Sequence, residues 1–198
     1  MIRLSVSDLE SIRYWKDGED GTIEDLQRKL RHQEPPTDAM EAGAAFAKFF
    51  ERTRTGEIGT VAEGGWTFDF SDLDMELPIS PVRELKAELA LDTPSGLVTL
   101  VGKVDGLNGT AVHDQKLTQR FDAERYLDSL QWRAYLMMFN ANKFVYDVFV
   151  GKYKARTVGI DEYHRLAFWT YPDLADDVQV AVEEAADLIT TYCPELVK

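Results

Sequence analysis

The sequence predicts an α/β or α+β domain organised around one sheet. Three observations lead there. The chain has 198 residues, 44% hydrophobic and 29% charged, which suits a single domain with a real core and excludes a mainly disordered chain. Helical spacing of apolar residues fills the first third and the C-terminal end, whereas alternation fills the middle. One amphipathic helical stretch interrupts the alternating segments, giving the order helices, antiparallel strands, helix, strands, helix.

The elements follow in order. Ser5 or Ser7 caps a helix through Tyr14, with Glu10 three residues after Ser7 in a capping-box pattern. A short polar helix spans Ile23–Arg31, and QEPPTD breaks the chain. Thr37 or Asp38 then caps an Ala- and Phe-rich helix from Ala39 to about Arg54. Trp66–Phe70 alternates as a strand. Arg83–Leu91 and Leu97–Val104 flank a DTPSG turn as a hairpin, and Thr110–Leu117 follows an LNG turn. Ala123–Phe139, capped by Asp122, carries an apolar stripe of Leu127, Leu130, Ala134 and Met138. Two strands follow, Phe144–Tyr153 and Thr157–Thr170, then an acidic helix from about Pro172 to Tyr192. One domain is expected over residues 1–198, with a helical part over 1–60, a sheet core with its helix over 61–171 and a C-terminal helix over 172–198.

No apolar run approaches the ~18–20 residues that span a bilayer, so no membrane partner is expected. The N-terminus shows no basic start followed by an apolar stretch, and the expected compartment is the cytoplasm. The single cysteine, Cys193, excludes an internal disulfide, a four-cysteine zinc site and an iron–sulfur cluster. His32, His113 and His164 are scattered and form no triad spacing with Ser, Cys193 or Asp. GEIGTVAEGG lacks the Lys-Ser/Thr ending of a phosphate loop. The net charge is −13, which repels nucleic acid. Val101–Arg156, however, holds nine basic and six acidic residues, a local +3 that leaves −16 for the rest. This is either chance clustering on a solvated surface or a site region facing an anionic ligand.

The informative segment is GKVDGLNGTAVHDQKLT. Asp105 ends one strand. Asp114 and Lys116, two apart on the next strand, share a face, while His113 and Gln115 point away. A tight turn between the strands lets Asp105, Asp114 and Lys116 converge. Two carboxylates with an exposed carbonyl suit a hard cation such as Mg²⁺ or Mn²⁺, and a lysine beside it positions or deprotonates water and stabilises a phosphate. Asp-x-Lys alone is a common tripeptide on a half-exposed strand. On the following helix, Gln131 and Tyr135 are four apart and occupy one face. Glu84, near the site, has a metal-supporting reading beside that of a solvated strand face. Trp132 adjoins the motif helix and is more readily a core residue than a stacking platform.

The order G-x-x-D-G, then D-x-K-x-T, then a helix with Q-x-x-x-Y resembles the RecB-like branch of the PD-(D/E)XK nucleases, clearest over about Val82–Tyr153. The resemblance implies a mixed central sheet flanked by helices, a restriction-endonuclease-like core. It also implies Mg²⁺- or Mn²⁺-dependent hydrolysis of DNA phosphodiester bonds, as by an exonuclease of phage or bacterial recombination or repair. Asp105 matches the first metal-binding acid, Asp114 and Lys116 the acid and lysine of (D/E)-x-K, and Gln115 a carbonyl ligand. Gln131 and Tyr135 match the helix motif beside the site. LSVSDLESIRYW is similar to the family's first helix start. DNA is the implied partner, and the acidic body suggests a basic companion such as a single-strand annealing protein.

The chain departs from that pattern at one place. Where many such nucleases read G-x-x-φ-H, this sequence reads Gly43-Ala44-Ala45-Phe46-Ala47, so alanine stands where a histidine ligand would be. Glu41 is the nearest acid that could substitute as a metal ligand, and it is equally a helix N-terminal carboxylate. Ala47 motivates an alternative: a nuclease scaffold with impaired chemistry that binds DNA or a protein.

Overall fold

In the computed structural model, which describes residues 1–18, 21–56 and 59–197, eight strands and six α-helices follow one another, with a short 3-10 turn at Pro194–Leu196. They are β1 (Ile2–Ser5), α1 (Val6–Lys16), α2 (Ile23–Leu30), α3 (Asp38–Arg52), β2 (Thr60–Glu63), β3 (Trp66–Asp69) and β4 (Val82–Thr93). Next come β5 (Gly96–Asn108), β6 (Ala111–Thr118), α4 (Ala123–Asp128), α5 (Leu130–Met138), β7 (Lys143–Lys154), β8 (Thr157–Trp169) and α6 (Leu174–Tyr192). The strands join one eight-stranded sheet in the order β1-β5-β6-β7-β8-β3-β2, with β4 also paired to β5. It is mixed: β1–β5, β6–β7 and β3–β8 are parallel, the other pairs antiparallel. This is the α+β architecture with a mixed, helix-flanked sheet that the sequence predicts.

β7 explains how the layers are divided. As an interior strand it is buried on both faces, so it reads as a nearly continuous apolar run. Phe144, Tyr146 and Val148 enter the core covered by α1, α2, α5 and α6. Phe149 enters a second core under α3, among Phe46, Phe50, Phe68 and Phe70. Successive strand residues point to opposite faces, so Asp147 belongs with α3 and Tyr146 with α5. Among the described residues, no helix is long and apolar enough to cross a membrane.

Several sequence expectations are corrected. β1 and β2 were not expected. Of the two expected caps of α1, Ser5 is the one found, in a capping box with Asp8, and the Ser7–Glu10 box is not formed. Glu10 instead accepts the amide of Leu130 at 2.8 Å. α6 begins at Leu174 behind Asp173, leaving Pro172 outside its first turn. β5 continues to Asn108, so Asp105 lies inside a strand rather than at its end.

The largest correction concerns 123–139, which is two helices. Ser129 adopts extended backbone (ψ 134°) and its hydroxyl caps α5 by accepting the amide of Gln131. The carbonyls freed at the break are taken by side chains: Arg133 donates to those of Asp128 and Ser129, and the Trp132 indole to that of Leu127. With the break, Leu127 is left exposed while Ala134 remains buried, so the continuous apolar stripe does not form.

Two glycines of β5 mark close approaches. A Cβ at Gly102 would sit 2.5 Å from the Tyr135 ring, and one at Gly106 would sit 2.2 Å from the Ser80 hydroxyl. Gly102→Ala is therefore expected to destabilise by about 1–3 kcal/mol through overpacking. Gly43→Ala, in open space inside α3, should stabilise by about 0.5–1 kcal/mol. Urea unfolding of both variants checks the contrast.

Candidate active site

The site sits where two strands part. β5 and β6 are paired only from Gly106–His113 to Asn108–Ala111, beside their turn. Beyond Gly106 they diverge, and the amide of Gln115 turns to the side chain of Asp105, whose Oδ2 accepts it at 2.9 Å. One carboxylate thus stands in for the missing rung of the ladder and is fixed beside β6. Asp114 points to the α5 side, where Gln131 Nε2 donates to its Oδ1 at 3.1 Å and Lys116 Nζ lies 2.8 Å from its Oδ2. His113 turns the other way and meets Asp147. The alternation expected for β6 is therefore what places Asp114 with Lys116.

The structure brings together Asp105, Asp114, Lys116, Gln115 and Gln131. Tyr135 adjoins them: its hydroxyl donates to the carbonyl of Lys103 at 2.9 Å and its ring lies against Gly102. That contact holds β5 two residues before Asp105. Burial pushes the Tyr135 phenol up to about 12, with the Asp114 charge adding to the shift, so it is a hydrogen-bond donor at neutral pH.

Glu41 is not brought to this group. It pairs with Arg156 at the start of α3, in an open hollow with Lys48 and Gly65. The part of α3 facing the site is Phe50, which lines a small recess with Asp105 and Gln115. At 1.5 Å per residue the nine positions between Glu41 and Phe50 are ~13 Å of helix. Among the α3 acids it is Glu51 whose charge reaches the site region, through Lys103. Sequence reasoning missed Glu51; its signal was one helical turn after Ala47. Glu84 pairs with Lys103, and its charge also bears on Asp105.

The electrostatics follow from burying like charges. Desolvation, then the charge of Asp114, pushes Asp105 up to about 7, with Lys116 and the Gln115 amide opposing. Asp114 is raised too, first by burial, against the pull of Lys116. For Lys116, burial works against the charge, but Asp114 and Asp105 outweigh it and hold the ammonium above the ordinary lysine range. Lys116 is a fixed cation here, which favours stabilising a phosphate over taking a proton from water.

A divalent cation fits this donor set. The buried Oδ2 of Asp114 has no donor aligned for a hydrogen bond, although the Lys116 ammonium is close. Two carboxylates, both penalised by burial, gain from a cation between them. Mg²⁺ is commonly held by one or two carboxylates, with water and substrate phosphate completing its shell. Among the described residues no cluster of three or more His, Cys, Asp or Glu side chains is placed to hold a metal.

Beside Lys116 opens a cleft of about 490 Å³, lined by Tyr14, Lys116, Arg120, Arg125, Tyr126 and Gln131 among others. The positive segment noted in the sequence is therefore not one patch. Lys103, Lys152 and Arg156 pair with Glu84, Asp161 and Glu41, whereas Lys116, Arg120 and Arg125 line the cleft.

No family model and no curated protein matches the sequence. Solved structures do resemble it. SSO0001 is 13% identical with a TM-score of 0.54, over 100% of this chain and 89% of that one. A phage-related exonuclease from Haemophilus somnus 129PT is 10% identical with a TM-score of 0.52, over 98% of this chain and 96% of that one. A candidate exonuclease from Eubacterium rectale is 13% identical with a TM-score of 0.54, over 99% and 83%. The chain shares the restriction-endonuclease-like mixed α/β fold of these solved structures. Within that fold the parted strands carry Asp105 and the segment Asp114-Gln115-Lys116, and α5 carries Gln131 and Tyr135.

The raised Asp105 carboxyl makes a stability prediction for metal-free protein. Because its folded pKa, about 7, exceeds the unfolded value near 3.8, the penalty is absent below pH ~4, grows between 4 and 7 and is complete above. Asp105→Asn keeps an acceptor for the Gln115 amide and removes the charge. In chelator it should stabilise the protein at pH 8, with about 4 kcal/mol as the ceiling set by a three-unit shift, and the gain should vanish towards pH 4. Thermal unfolding at the two pH values measures this.

Proposed function

We propose that the chain is a divalent-metal-dependent DNA nuclease acting from strand ends, with Asp105 and Asp114 as metal ligands and Lys116 as the catalytic cation. The observation that carries it is the buried Asp105–Asp114 pair beside Lys116, at the mouth of a cleft lined by basic and aromatic side chains. The exonucleases that share the fold support end-directed activity.

Each group has a task that its surroundings define. Asp105 and Asp114, with the carbonyl of Gln115, form an oxygen donor set at the parting of the strands. Gln131 holds Asp114 by one oxygen and leaves the other turned to Lys116. The Lys116 ammonium meets the phosphate and stabilises the charge that builds as the P–O bond breaks. When bound, the metal supplies Lewis-acid stabilisation of the phosphoryl oxygens and a more acidic water. The cleft has the volume of a small-molecule pocket. Tyr14 and Tyr126 line its walls, with Arg13 and Arg125 over the Tyr14 ring and Phe121 and Tyr146 against Tyr126. A place in phage or bacterial recombination or repair is part of the proposal and rests on the motif resemblance. The exonuclease pattern's missing histidine, at Ala47, leaves the Asp105–Asp114–Lys116 group intact.

Incubation of end-labelled linear DNA, single- and double-stranded, with Mg²⁺, Mn²⁺ or chelator tests the proposal. Nucleotide release that requires metal and falls at least ~100-fold in Lys116→Ala is expected. Metal-independent binding with no cleavage under any condition overturns it in favour of the impaired binding scaffold. Arg120→Ala should weaken DNA binding and lower the slope of log affinity against log salt by about 0.7–0.9, the loss of one phosphate contact. Affinity titrations across a salt series read that slope.

A further inference from the structure

A polar chain runs under the site that none of the expected site residues accounts for. Tyr146, on β7, is buried. Its hydroxyl donates to Gln131 Oε1 at 3.2 Å and lies 3.3 Å from the Ser129 hydroxyl. Ser129 Oγ already accepts the amide of Gln131 at 3.1 Å, so its own proton is available to the Tyr146 oxygen. Gln131 Nε2 in turn donates to Asp114 Oδ1. The donors thus run one way, from Ser129 to Tyr146 to Gln131 to Asp114, and end on a carboxylate that can only accept when ionised.

The amide of Gln131 has a donor end and an acceptor end of nearly equal shape. Which end meets Asp114 depends on what holds the other. A donating hydroxyl at Oε1 locks the amino group onto Asp114; the reversed amide would set two oxygens against each other. We propose that Tyr146 is a positioning residue for metal binding, acting through the orientation of Gln131 on Asp114. Its ring also lies 5.9 Å from the Lys116 ammonium, so the two neighbours of Asp114 share one support. The break at Ser129 belongs to the same device, because it carries the first hydroxyl of the chain to Tyr146. This inference rests on the metal-site reading of Asp114.

The test is calorimetric titration of Mn²⁺ into wild type, Tyr146→Phe, Gln131→Met and the double variant, with thermal unfolding recorded for each. Partners of metal ligands are commonly worth 10–100-fold in affinity. Gln131→Met should weaken Mn²⁺ binding about 10-fold and Tyr146→Phe about 5-fold, with the ring and the fold kept. The double variant should bind no more weakly than Gln131→Met, because Tyr146 acts only through that amide. Ser129→Ala should move affinity in the same direction by less. Unchanged affinity in Tyr146→Phe, or losses that multiply in full in the double variant, overturns the inference. Binding is read apart from cleavage. A wild type that binds Mn²⁺ and cuts no DNA overturns the nuclease function while the inference is still decided by the titrations; a wild type that binds no Mn²⁺ overturns the inference itself.

Discussion

A strand that leaves its partner must find another acceptor for each amide it exposes. In this sheet, β5 and β6 separate beyond Gly106 and His113, and the buried amide of Gln115 is met by Asp105. Closing the ladder would leave no space between the strands, and opening it without Asp105 would strand a donor at a cost of about 1–3 kcal/mol. The rest of the site is arranged around that solution. Gly106 lets Ser80 approach next to Asp105, and Gly102 admits the Tyr135 ring, so β5 is gripped on either side of its carboxylate. The hydroxyl of Tyr135 then fixes the carbonyl of Lys103 between them.

The charges make sense as a set and not singly. Two carboxylates are held where water is scarce, with one ammonium between them and solvent. Each carboxyl is raised by burial, and Lys116 only partly relieves the pair. Burying two such carboxylates together costs stability, and a cation between them would offset that cost. The acidic body matters here as well. A molecule of net charge −13 discourages polyanions in general, and the cleft holds a local group of cations in Lys116, Arg120 and Arg125.

Much of this was legible in the residue order, for definite reasons. Alternation in β5 and β6 and the tight turn between them depend on neighbours in sequence, so Asp105, Asp114 and Lys116 could be placed together in advance. The four-residue spacing of Gln131 and Tyr135 carried over because both lie within α5, after the break. What stayed hidden depends on partners far along the chain. The extended backbone at Ser129 is stabilised by Glu10 taking the amide of Leu130, a contact across 120 positions that no local pattern records. Glu41 was the nearest acid to Ala47 in sequence, but its position along α3 and its pairing with Arg156 set it apart from the strands. Tyr146 read as one more apolar residue in a buried strand, since the role of its hydroxyl appears only when Gln131 is laid over it.

The pairing of β1 with β5, Ile2 opposite Val98, has a consequence for the order in which the molecule is built. Residues 96–118 form their strands from adjacent segments, and the helix pair follows directly. β1 pairs only once the residues between Ser5 and Val98 are looped back, an entropic cost that grows with the separation closed. The contacts around Asp105 and Lys116 are thus short-range in sequence, whereas the β1 edge closes a long loop. The edge of β5 beyond the Asp105–Lys116 hairpin is covered by β1, and its closure depends on contacts much farther apart in sequence than those of the hairpin.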